Sequence, residues 1–283
     1  MRPSLRTIAP FLAAALMTAL PAAAHADTTT SSNWSGYAVH RSGVSFRHVT
    51  GTWTVPSADC ASASPGYSAA WVGLGGYAVT SPALEQIGTE TDCTAQGRVK
   101  ADAWFELVPS PSHSLSLTVH PGDLVTASVT VAGDRVTVTL NDRTRKRTAT
   151  KTSTDHTLDV SSAEWIVEAP SECVSTTACA TLPLADFGTV GFGGASAQDA
   201  HGQTGPIDSR HWQHTEITLA SSPARAFVSD GSTRQAIPSA LSASGHAFTV
   251  GFSETAAQPG SGPPLPLTAG QRAASARQPA LRR

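Results

Sequence analysis

Three short segments hold the side chains best suited to chemistry: Trp71-Val72-Gly73, Leu84-Glu85-Gln86-Ile87-Gly88 and Glu164-Trp165-Ile166-Val167-Glu168. All three sit in strand-like sequence, and the second and third plant amide and carboxyl groups among apolar residues. Burying such a group without a partner costs roughly 2–7 kcal/mol, so strands rarely carry one idly. Asp102-Ala103-Trp104-Phe105-Glu106 adds two carboxyls around a tryptophan. Positioned carboxyls can serve as general acid and general base. Two of Glu90, Asp102, Glu106, Glu164 and Glu168 would suffice for a glycoside hydrolase, with Trp71 and Trp104 stacking on sugar rings. A plainer reading stays open on these residues alone: Gln86 and Glu168 as polar residues on solvent-facing positions of edge strands.

Several other chemistries lack their residues. Asp208-Ser209 is followed by Arg210, and Ser229-Asp230-Gly231 has the wrong order for the Asp-Thr/Ser-Gly loops of an aspartic peptidase. No His-Glu-x-x-His zinc motif and no Gly-x-Ser-x-Gly elbow occurs. His211 and His214 are three apart, which on a strand points them to opposite faces, so a shared metal would need a helical turn there. No metal and no cofactor is expected. Arg143, Arg145, Lys146, Arg147 and Lys151 form one basic cluster beside Asn141-Asp142, which reads as a solvated hairpin end rather than a nucleic-acid patch.

The elements that must position these groups are strands. Period-two alternation marks Ser45–Val55, Ala69–Leu74, Ala83–Gly88, Arg98–Leu107, Ser114–Val119, Leu124–Val131, Arg135–Leu140, Glu164–Glu168, Thr189–Phe192 and Ala247–Phe252. Pro121-Gly122-Asp123, Ala132-Gly133-Asp134, Asn141-Asp142 and Asp230-Gly231 supply turns. Leu124–Leu140 across Gly133-Asp134 reads as one hairpin. No segment shows a helical period with caps. Many short strands at this spacing make an all-β sandwich or barrel of antiparallel sheets. In Arg98–Leu107, Val99, Ala101, Ala103, Phe105 and Leu107 share one face and Arg98, Lys100, Asp102, Trp104 and Glu106 the other. That second face is either a solvated surface or the wall of a groove.

Residues 1–26 read as a cleaved secretory signal. Arg2 and Arg6 make a positive start, Ile8 to Leu20 an apolar stretch, and Ala24-His25-Ala26 a cleavage site. The apolar stretch is short against the ~20 residues of a membrane span, so a secreted, membrane-free protein is expected. Ala/Arg-rich composition and the style of the signal point to a bacterial source. Cys60, Cys93, Cys173 and Cys179 suit an oxidising compartment. Pairing Cys60 with Cys93 and Cys173 with Cys179 lets each bridge span one local loop; the rival zinc site lacks any Cys-x-x-Cys spacing. Residues 27–255 are expected to form one domain, and 256–283, rich in Pro, Gly, Arg and Ala, a disordered tail. Residues 27–258 carry 13 basic against 21 acidic side chains, a net of −8. That balance argues against nucleic acid as a partner and suits an enzyme working in acid. A monomer is expected.

Taken in order, these motifs resemble the glutamic peptidases, or eqolisins, over most of residues 33–192. The resemblance begins with Asn33-Trp34-Ser35-Gly36-Tyr37 and Gly51-Thr52-Trp53-Thr54-Val55-Pro56. It continues through Trp71-Val72-Gly73, Leu84-Glu85-Gln86-Ile87-Gly88, Asp102-Ala103-Trp104-Phe105-Glu106, Ala163-Glu164-Trp165-Ile166-Val167-Glu168 and Ala185-Asp186-Phe187-Gly188-Thr189-Val190. It implies a β-sandwich of two curved antiparallel sheets, with Gln86 and Glu168 catalytic. Trp71, Glu90, Asp102, Trp104 and Glu106 would line the substrate groove, and proteins or peptides would be the substrate. Glu168, rather than Glu164, corresponds to the family's catalytic Glu. In that role Glu168 takes a proton from water and returns it to the leaving amine. The NH2 of Gln86, which does not titrate, stabilises the tetrahedral oxyanion. Departures stand at Gly75, where the family often has Asp, at Val108 in place of Tyr, and at Pro170 in place of an aromatic. Glu216 is the candidate for the family's C-terminal groove acid. The expectation is a secreted acid endopeptidase insensitive to pepstatin; the rivals are a sandwich-fold glycoside hydrolase and a carbohydrate-binding module of the same fold.

Overall fold

β-Branched and aromatic residues at alternate positions build strands throughout, and the computed structural model contains no helix among its described residues. Those residues are 27–61, 65–78, 80–175, 178–220, 232–256 and 276–277. The expected signal sequence lies outside them, as does most of the expected tail. In chain order the first strands are β1 (Asp27–Ser31), β2 (Trp34–His40), β3 (Phe46–Thr54), β4 (Gly66–Gly75), β5 (Leu84–Cys93), β6 (Val99–Val108), β7 (His113–Ser114), β8 (Leu124–Ala132), β9 (Arg135–Asp142) and β10 (Arg147–Thr154). There follow β11 (Ser162–Glu168), β12 (Ser171–Ser175), β13 (Ala178–Thr181), β14 (Thr189–Asp199), β15 (Thr204–Gly205), β16 (Gln213–Ala220), β17 (Ser232–Pro238), β18 (Phe248–Ala256) and β19 (Ala276–Arg277).

Hydrogen bonding joins most of these into one path, β10-β9-β8-β3-β14-β18-β17-β16-β2-β11-β4-β5-β6-β7, rather than two separate sheets. The join is β14. Its first residues, Thr189–Phe192, pair with β18, and its later ones, Gly193–Asp199, pair with β3 across a register shift. Gly194 turns there at φ +58°, so a bulged strand passes from one layer to the other. The path folds over on itself, with β3, β8 and β9 packed face to face on β4 and β5. Between the layers lies the main core, where Val49, Val129 and Leu140 meet Val72, Ile87 and Phe105. Two indoles tie the layers: Trp165 Nε1 donates to the Thr50 carbonyl at 2.8 Å and Trp53 Nε1 to Thr89 Oγ1 at 2.9 Å. Gly51 makes room for the first, since a Cβ there would stand 2.9 Å from Trp165 Cδ1.

The Leu124–Leu140 hairpin closes as expected, Ala132 pairing Arg135 around Gly133 at φ +64°. Ser114–Val119 does not form the expected strand. Leu115, Leu117 and Val119 are buried alternately, but pairing with β6 extends only over β7, and Leu115 N makes one further bond to the Ala103 carbonyl. The alternation there reports burial without a ladder. β2 was not legible as a strand because both of its faces are covered, which erases the alternation. Cys60 and Cys93 form a disulfide. Cys179 is disulfide-bonded and stands opposite Cys173 in the β12–β13 register, but the Cys173 side chain lies outside the described residues. Of the expected tail, Ala276–Arg277 pairs in parallel with Ser171 and Glu172.

Candidate active site

The face of β6, β5, β4, β11 and β2 turned away from the main core carries three rows of register partners. Antiparallel partners share a face, so the rows follow from pairing alone. One row runs Asp102, Glu90, Ala69, Glu168, Trp34. The middle row runs Trp104, Gly88, Trp71, Ile166, Gly36, and the third Glu106, Gln86, Gly73, Glu164, Ala38. Gln86 and Glu168 therefore sit diagonally on one surface, with β4 between their strands. Trp34, Trp71, Trp104 and Ile166 belong to a second apolar cluster on this face. The polar groups set among them are buried: Gln86 is 0% exposed, Glu106 1% and Glu168 2%.

Small residues make that surface possible. A Cβ on Gly88 would stand 2.3 Å from the Ala70 carbonyl oxygen and 2.6 Å from Trp71 Cβ, so no larger residue fits beneath the indole. At Gly73 a Cβ would meet Trp71 Cζ3 at 3.0 Å. The Trp71 ring thus lies along β4 over Gly73, with Nε1 directed to Glu168 Oε2 at 2.9 Å. Trp34 meets Trp71 edge-on, 5.0 Å between centroids and 78° between planes. Gly75, where a family Asp was missing, is needed by the backbone: it sits at φ +82°, and a Cβ would lie 2.4 Å from the Asp159 carbonyl oxygen.

Glu168 is held as an acceptor. Trp71 Nε1 donates to one carboxyl oxygen and Asn33 Nδ2 to the other, the latter at 3.2 Å. Ser31 Oγ donates to Asn33 Oδ1 at 3.2 Å and so fixes the amide's direction. Asn33 stands immediately before β2, a strand buried on both faces, and that placement is the signal the sequence carries for it. Glu164, on the same face of β11, differs. Neither of its oxygens accepts a well-formed hydrogen bond among the described residues, and burial, with the Asp159 and Glu85 carboxyls adding to it, holds its pKa well above the usual carboxylate range. That contrast favours Glu168 over Glu164 as an ionised base.

Gln86 Nε2 donates to Glu106 Oε2 at 2.7 Å, across the β5–β6 pair. Glu106 thus lies buried against the Gln86 amide. Burial, followed by the Glu168 charge, pushes its pKa well above the usual value. Glu90 and Asp102 face each other one row beyond Trp71 and Trp104, and Asp102 pairs with Lys100. Glu216 does not join this surface. It pairs with Tyr37, a core residue of the opposite face, and accepts that residue's phenol at 3.0 Å. His211 and His214 lie apart from the surface, and no group of three or more potential metal ligands occurs among the described residues.

The profile of the Peptidase A4 family matches residues 32–232. The chain belongs to the peptidase A4 family. Scytalido-glutamic peptidase with a transition-state analog inhibitor is 26% identical, with a TM-score of 0.63, over 78% of this chain and 98% of that one. SCP-B, an eqolisin in complex with the tripeptide Ala-Ile-His, is 26% identical over the same shares, with a TM-score of 0.56. No curated protein sequence matches. The peptidase A4 assignment makes the chain a glutamic peptidase family enzyme and sets aside both carbohydrate readings.

Proposed function

We propose that this enzyme is a secreted endopeptidase that hydrolyses peptide bonds in proteins at acid pH, with Glu168 as general base and Gln86 as oxyanion donor. The observation that carries the reading is the setting of Glu168, a buried carboxyl gripped by two N–H donors on the surface that also carries Gln86. Charge-assisted hydrogen bonds of this kind favour the ionised form. Glu168 then removes a proton from water as the water adds to the scissile carbonyl. The negative charge that develops on the carbonyl oxygen meets the Gln86 NH2, and Glu168 returns the proton to the departing amine. Donors fixed in a buried site do this without reorganising, and one such donor accounts for about 10²–10³ in kcat. Trp34, Trp71 and Trp104 form the buried apolar bed on which the pair is set, and Glu90 and Asp102 extend that surface toward the substrate. The Cys60–Cys93 disulfide and the leader-like residues 1–26 support export.

The test replaces the base without changing its shape. Glu168→Gln, folded by circular dichroism, is expected to lose about 10²–10⁴ in turnover of acid-denatured casein at pH 3–4. Turnover close to wild type would refute the assignment and move it to Glu164.

A further inference from the structure

Gln86 must present its NH2, not its carbonyl, to the reacting centre, and an amide can turn by half a revolution with almost no change of shape. Something has to choose between the two orientations. The neighbour that can choose is Glu106: in the observed orientation Gln86 Nε2 donates to Glu106 Oε2 at 2.7 Å, and the half-turn puts the amide carbonyl oxygen in the place of that nitrogen. Its other oxygen, Oε1, is buried and has no hydrogen-bond partner among the described residues. No ion pair among those residues involves Glu106, and the charge that acts on it is that of Glu168, like-signed, from β11. The other groups on its flank are neutral: Gln86 on β5, and Trp71 and Gly73 on β4. Glu164 on β11 adds a further carboxyl to the same row. Like-charged carboxyls on one buried surface disfavour each other's ionisation. Glu168 holds the two N–H donors, so the charge belongs there and the proton to Glu106.

We propose that Glu106 acts as a neutral acid that positions Gln86, its O–H donating to the amide carbonyl so that both N–H bonds face the oxyanion. The proposal rests on the reading of Gln86 as oxyanion donor. When Glu106 ionises, its proton leaves to solvent and the amide turns its NH2 to the carboxylate. One N–H is then spent on Glu106, and a second negative charge stands beside the developing oxyanion. Both effects oppose the transition state and neither touches substrate binding. Burial, then the Glu168 charge, raise the Glu106 pKa well above the usual carboxylate range against the opposing hydrogen bond from Gln86, and loss of this proton beside the Gln86 amide sets the alkaline limb of activity.

The experiment compares wild type, Glu106→Gln and Glu106→Leu, with kcat and KM measured from pH 3 to pH 7 on one peptide taken from a casein digest. A glutamine at this position still donates to the Gln86 carbonyl but cannot ionise. It is expected to lose no more than about tenfold in kcat, with the alkaline limb moved up by a pH unit or more. Leucine supplies no donor and is expected to lose about 10²–10³ in kcat, the worth of an oxyanion donor, with KM changed less than threefold. A Glu106→Gln enzyme with the wild-type alkaline limb, or as inactive as Glu106→Leu, overturns the proposal. A second readout does not use activity: the infrared difference between wild type and Glu106→Gln at pH 6 should contain the carbonyl stretch of one protonated carboxylic acid. Absence of that band also overturns the proposal. If wild type cleaves no peptide at any pH, the peptidase reading fails, while the infrared difference still decides the state of Glu106.

Discussion

Replacing Glu85 with glutamine should make the protein more stable near neutral pH, by an amount that follows from its surroundings. Glu85 is fully buried on the opposite face of β5 from Gln86, and neither carboxyl oxygen accepts a well-formed hydrogen bond among the described residues. Burial, reinforced by the Asp155 and Asp159 carboxyls, pushes its pKa up from 4.5 to about 9. The unfolded chain gives up this proton near 4.5, whereas the folded chain keeps it until about 9. Between those values the unfolded state binds fewer protons, so stability falls as pH rises, and the full contribution is present only below the unfolded value. Each pKa unit is worth about 1.4 kcal/mol, so the 2.5 units between 4.5 and pH 7 amount to about 3 kcal/mol. For a domain of this size that is a fall in Tm of about 6–12 °C. Glu85→Gln removes the ionisation while keeping the shape. Thermal unfolding followed from pH 4 to pH 7 should show wild type and variant within a few degrees at pH 4 and separated by about 6–12 °C at pH 7, the variant higher. Parallel curves across that range would refute the reasoning, as would a wild-type Tm that does not fall.

Gly88→Ala should displace Trp71 and cost about 1–3 kcal/mol by overpacking, with activity lost more steeply than stability; an unchanged denaturation midpoint with full activity would contradict the contact geometry. Replacing Cys60 and Cys93 together by serine opens a loop of sequence separation 33. It should cost about 3–4 kcal/mol on loop entropy, read as a lower urea midpoint. Trp71→Phe removes the donor to Glu168 Oε2 while keeping an aromatic ring. A hydrogen bond to a charged group is worth about 1.5–3 kcal/mol, so kcat should fall about 10–100-fold, and a loss below threefold would mean that the indole N–H is not used.

The site was legible because strand alternation, once the partners are known, assigns faces. Gln86, Glu106, Trp71, Trp104 and Glu168 fall on one surface as their parity requires. What parity does not encode is depth. The face carrying Trp104 and Glu106 was readable as solvated surface or as groove, and only packing shows Glu106 to be 1% exposed and against Gln86. The same limit hid Glu85, whose neighbours Asp155 and Asp159 arrive from a distant loop. The joining of both layers into one path depends on β14 changing partners at Gly193-Gly194, a bulge that a Gly pair allows but does not announce. Asn33 was missed because its contact to Glu168 spans 135 residues of chain. The Cys60–Cys93 bridge was readable from locality alone.

The central claim, that a Gln86/Glu168 pair cleaves peptide bonds in acid, is tested most directly by digesting acid-denatured casein with the purified protein from pH 3 to pH 7. Parallel reactions contain pepstatin or EDTA, and products are read by mass spectrometry. The account predicts internal cleavages that peak in acid, fade as Glu106 ionises, and persist with both inhibitors present. Cleavage that peaks near neutral pH and disappears with EDTA would contradict it.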